Sequence, residues 1–84
     1  MRYPYMTFDD ETEVTHSKMG KDGTVRVSIE TPTEDGFKSL LFTLPGGDWV
    51  NRGYSDNEVK HWKAFMQNNA HLIMESARTK STDD

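Results

Sequence analysis

From Thr24 to Thr31 apolar and polar side chains alternate without a break, with Val25, Val27 and Ile29 on one side and Arg26, Ser28 and Glu30 on the other. A strict period of two predicts a β-strand with one buried face and one wet face. Gly20-Lys21-Asp22-Gly23 before it and Pro32-Thr33-Glu34-Asp35-Gly36 after it have turn composition. Phe37 to Leu44 predicts a second strand, with Leu40, Phe42 and Leu44 on one face. Its other face carries Phe37, Ser39, Leu41 and Thr43, which is more apolar than a solvated face requires. Thr12 to Lys18 sets Val14 among polar residues and suits a partner strand at or near a sheet edge. Tyr3 to Phe8 adds a further strand before Asp9-Asp10, and Pro4 confines it to an edge.

After Pro45-Gly46-Gly47-Asp48, read as a crossover, the period changes from two to that of a helix. Ser55 and Glu58 have the spacing of a capping box, in which each side chain satisfies the other residue's orphan backbone N–H. Tyr54 and Val59 bracket the cap as a hydrophobic staple. Asp56 and Glu58 complement the positive end of the helix dipole, and Arg78 and Lys80 the negative end. The helical pattern runs to about Ala77, with Val59, Trp62, Met66, Ala70, Ile73 and Ala77 on one stripe. Phe65 and Leu72 lie on its flank, so the apolar arc is wider than one sheet face needs. The predicted fold is α+β: an antiparallel meander of three to four strands with one long C-terminal helix packed on one face. Residues 1–78 form the single domain, and 79–84 a polar, frayed tail.

Composition narrows the function classes. Only 33% of the 84 residues are hydrophobic, but nine are aromatic, so a thin core is built largely from rings. A net charge of -4 argues against nucleic acid or an anionic membrane as partner, because both require a basic face. The absence of cysteine excludes disulfide scaffolds, thiolate metal sites and cysteine nucleophiles, and favours a reducing, cytoplasmic setting. Met1 to Phe8 lacks the charged-then-apolar pattern of a secretory leader, and no stretch approaches the ~18 apolar residues of a membrane span.

Candidate chemistry is sparse. His61 and His71 are ten residues apart on the helix and do not form a chelating pair, and all three histidines read as solvated surface groups. His16 beside Ser17 suggests a nucleophile and base, but neighbouring strand residues point to opposite faces. Asp9, Asp10, Glu11 and Glu13 lack the register of a calcium loop and read as a charged turn. Gly46-Gly47 matches neither phosphate-binding glycine motif. Trp49, Arg52 and Tyr54 flank the crossover and form a candidate ligand or partner contact, although aromatics there more often seal a small core. No catalytic residue, cofactor or metal is expected.

Leu44-Pro45, Gly53-Tyr54-Ser55 and Asn68-Asn69-Ala70-His71-Leu72-Ile73 carry a loose resemblance over about Thr24 to Arg78. The segment resembles small uncharacterised bacterial proteins in which a β-meander ends at Leu-Pro and a Gly-aromatic-Ser start opens a long terminal helix. It is more distantly similar to small domains of toxin–antitoxin-like gene pairs, which carry a His- and Pro-rich N-terminal motif where this chain has His16 alone. The resemblance supports the fold and supplies no catalytic residue.

These features predict a non-enzymatic protein–protein interaction module that self-associates, or that binds another protein. Phe37, Leu41, Phe65 and Leu72 are the candidate interface, because one helix cannot cover both faces of the sheet. In the competing arrangement the Tyr3–Phe8 strand folds back over Phe37 and Leu41. The alternative function is an acidic, inhibitor-like regulator that covers a basic surface through the Asp9–Glu13 cluster; a small-ligand binder ranks third.

Overall fold

The two alternating segments pair with each other along their whole length. In the computed structural model, which describes residues 2–82 and the side chains through Thr79, β3 (Val25–Thr33) and β4 (Gly36–Leu44) run antiparallel from Val25 opposite Leu44 to Thr33 opposite Gly36. β1 (Tyr3–Thr7) and β2 (Glu13–His16) extend the sheet on one side, β5 (Asp48–Arg52) on the other, and α1 (Asp56–Thr82) follows. The sheet order is β1-β2-β3-β4-β5, a meander in which every neighbouring pair is antiparallel.

The sheet therefore has five strands rather than three to four, and the added strand is β5. Pro45-Gly46-Gly47 is a hairpin turn and not a crossover. The Leu44–Pro45 peptide is cis, Gly47 has φ 86°, and its N–H donates to the Thr43 carbonyl at 2.7 Å. The chain thus returns beside β4 before it enters the helix. β1 holds the opposite edge, as Pro4 requires, with a bulge between Pro4 and Met6.

Alternation sets the core. Val14 and His16 from β2, Val25, Val27 and Ile29 from β3, and Leu40, Phe42 and Leu44 from β4 are buried against α1. The helix answers with Val59, Trp62, Met66, Ile73 and Ala77 buried and Ala70 partly so, the stripe read from its period. The capping box is formed, with Ser55 N–H donating to Glu58 Oε1 at 2.9 Å and Glu58 N–H donating to Ser55 Oγ at 3.2 Å. Tyr54 and Val59, the staple residues, are both buried.

Several expectations change. Phe65 is not an uncovered flank. Tyr5 and Phe8 lie across it, at ring-centroid distances of 6.5 and 5.7 Å, because β1 directs its rings toward the helix. β1 consequently does not cover Leu41, and its end at Thr7 reaches only the hollow beside Phe37, which stays exposed. His16 is buried and not solvated, since β2 places it on the helix side of the sheet. The helix continues to Thr82, where Ala77 was the expected end. Thr79 Oγ1 donates to the Glu75 carbonyl and Arg78 pairs with Glu75 across the last turns. The final two residues of the expected frayed tail, and the Lys80 side chain, lie outside the described residues.

Candidate functional site

Directly paired residues of antiparallel strands share a face, so the register maps the sheet surface that α1 leaves open. One row across it is Pro4, Thr15, Ser28, Leu41 and Val50; the next is Glu13, Glu30, Ser39 and Arg52. Arg26, Thr43 and Asp48 form the row on the other side, and Pro32 faces Phe37 at the tip of the β3–β4 hairpin. The β1–β3 part of this face is polar, fastened by the Arg2–Glu30 ion pair at 3.3 Å. Its large exposed hydrophobic side chains are the adjacent pair Leu41 and Val50, 38% and 55% exposed, and the separate Phe37, 70% exposed. Ser39 and Arg52 divide Phe37 from that pair. Leu72 is 56% exposed on the helix and does not belong to this face.

The candidate contact residues Trp49, Arg52 and Tyr54 do not converge. Tyr54 is buried in the core. Arg52 pairs with Ser39 on the open face. Trp49 pairs with buried Phe42 on the helix side, where Lys63 Nζ sits 4.6 Å from its ring centroid.

Two polar clusters lie beneath the surface. The first is a hydroxyl chain: Tyr54 OH lies 2.8 Å from Thr31 Oγ1, which lies 2.6 Å from Thr12 Oγ1. Thr12 also donates its backbone N–H to Asp10 Oδ1 at 3.0 Å. The Thr12 hydroxyl and amide together hold the Asp10 carboxyl below its ordinary range, whereas burial pushes the Tyr54 phenol up. The chain links Tyr54 through Thr31 to Thr12, whose backbone N–H holds Asp10. It fastens the β1–β2 turn, β3 and the entry to α1 together. The Lys38 ammonium reaches the same joint, 3.1 Å from Glu58 Oε2 and 5.8 Å from the Tyr54 ring centroid. Asn51 clasps the Tyr54 backbone at both its N–H and its carbonyl.

The second cluster is His16 and Ser76. Nδ1 lies 2.8 Å from the Ser17 carbonyl, which only accepts, so Nδ1 carries the proton. In the neutral ring Nε2 then accepts from Ser76 Oγ at 3.1 Å. Ser17 itself is turned away, its hydroxyl donating to the Lys18 carbonyl and accepting from Arg26 N–H. The pair has the spacing of a base and a nucleophile. The hydrogen bond pins α1 to β2. Among the described residues, no group of three or more His, Asp or Glu side chains is placed to hold a metal ion, and no helix is long and apolar enough to cross a membrane.

Sequence reasoning found Phe37 and Leu41 from the apolar second face of β4 and missed Val50. Trp49 and Val50 after a Pro-Gly-Gly turn were the available signal, a short β-prone run returning from a hairpin. No family model, curated protein or solved structure matches the chain.

Proposed function

We propose that the protein is a non-enzymatic interaction module that self-associates. One observation carries this reading: on the mostly polar sheet face that α1 leaves open, Leu41 and Val50 sit side by side at the margin, exposed. A solitary exposed apolar residue needs no explanation, but an adjacent pair beside a sheet edge is a contact surface in waiting. The clustered polar groups support the same reading, because Thr12, Thr31 and Tyr54 bond to one another, as do His16 and Ser76. Light scattering over a concentration series tests it. The mass rises toward that of a dimer, and Leu41→Asp returns it to a monomer without unfolding it. A wild-type chain that stays monomeric at high micromolar concentration would contradict the reading.

A second reading, the acidic regulator of a basic partner, rests on a different feature. A hollow of about 440 Å³ opens beside Phe37 and is lined by Glu11, Glu13 and Glu30 together with Phe8 and Pro32. An exposed ring beside three carboxylates suits an arginine-bearing partner surface. Binding of such a partner weakens steeply with added salt, whereas apolar self-association does not.

A further inference from the structure

The two edges of the sheet are built differently. β1 carries Pro4 and a bulge, both of which discourage a further strand. β5 has neither: its register against β4 is continuous from Asp48 opposite Thr43 to Arg52 opposite Ser39. It contains no proline or lysine, and its Trp49 and Val50 side chains are exposed, Trp49 by 42%. A regular edge strand without such guards presents backbone N–H and C=O groups to any strand that can align with it.

The sequence of β5 also specifies which strand aligns. Laid antiparallel against its own copy about Val50, Asp48 of one chain faces Arg52 of the other, twice by symmetry. Val50 meets Val50, and Trp49 meets Asn51 of the second copy. Shifting the centre by one residue, to Trp49 or Asn51, separates the charges. We infer that a second copy of this chain adds to the sheet along β5, antiparallel and centred on Val50, which deepens and rests on the self-association proposed above. The two-fold axis of such a pair stands perpendicular to the sheet. Both open faces therefore lie on one side, and Leu41, Val50 and their copies make one apolar stripe across the junction. Asp48, Val50 and Arg52 all point to that side, so the ion pairs flank the stripe.

The chain has no cysteine, so a single introduced thiol reports the axis. Opposed residues of an antiparallel pair have Cα atoms about 4.5–5.5 Å apart, within disulfide range. Val50→Cys is predicted to give a disulfide-linked dimer on mild oxidation, in much higher yield than Phe37→Cys, whose exposed position sets the collisional background. Asp48→Arg or Arg52→Asp alone replaces two attractive pairs with two repulsive ones and weakens the dimer about tenfold, and the double exchange restores it to within about threefold. If the wild-type chain dimerises but Val50→Cys cross-links no better than Phe37→Cys, or the double exchange fails to restore association, the β5 register is overturned while self-association stands. A monomer at high micromolar concentration overturns both.

Discussion

At the residue scale, backbone conformation and side-chain clasps at the entry to α1 decide most. Gly53 has φ 103°, a region that side chains disfavour, and a Cβ there would lie 3.3 Å from Lys38 Cγ. Lys38 cannot easily give way, because its ammonium is held by Glu58. Gly53→Ala should therefore cost about 1–3 kcal/mol of stability in urea denaturation; a change within error would contradict the strain. Glu58 is the second such residue. The Ser55 N–H, and then the Lys38 ammonium, hold its carboxyl below the ordinary range. A carboxyl lowered in the folded state stabilises fully above its unfolded value and loses that contribution as pH falls through the folded one. Stability should thus fall below about pH 4, and the fall should be shallower in Glu58→Gln, which keeps an acceptor but does not titrate. Denaturation curves between pH 7 and pH 3 decide it, and identical slopes for the two proteins would contradict the assignment. Asp10, Asp22 and Glu75 are lowered as well, so the variant retains part of the slope.

At the element scale, legibility followed periodicity. β3 and β4 were plain because each alternates over eight or nine residues, and the helix because its cap, staple and stripe agree. Trp62 is buried as the stripe requires, with Phe8 and Phe65 ring centroids at 5.3 and 5.5 Å. Trp62→Ala should cost about 3–5 kcal/mol and leave the chain largely unfolded at room temperature; a folded variant with an unchanged melting temperature would contradict that packing. β5 was not legible, because five residues offer barely one full alternation and the glycines before it suited a crossover equally well. The cover over Phe65 was hidden for another reason. It comes from Tyr5 and Phe8, far away in the sequence, and depends on which way β1 faces, which a pairing partner decides and local pattern does not. His16 is hidden in a similar way: a polar residue among polar neighbours gives no sign of burial until Ser76 arrives opposite it.

At the scale of the whole molecule, one helix covers one face of a five-stranded sheet and leaves a polar face with an apolar margin at β5. Pro4 and the bulge close one edge, and the other ends in a strand complementary to itself. The candidate surface was half legible. Phe37 and Leu41 stood out on β4, but the edge that gives Leu41 its meaning belonged to the unseen strand. If a second copy covers this edge in solution, amide hydrogen exchange across a dilution series reads it out. The β5 amides pointing away from β4 should exchange slowly at high micromolar concentration and speed up on dilution, while outward amides of β1 should exchange fast throughout. Outward β5 amides that exchange fast at every concentration would contradict it.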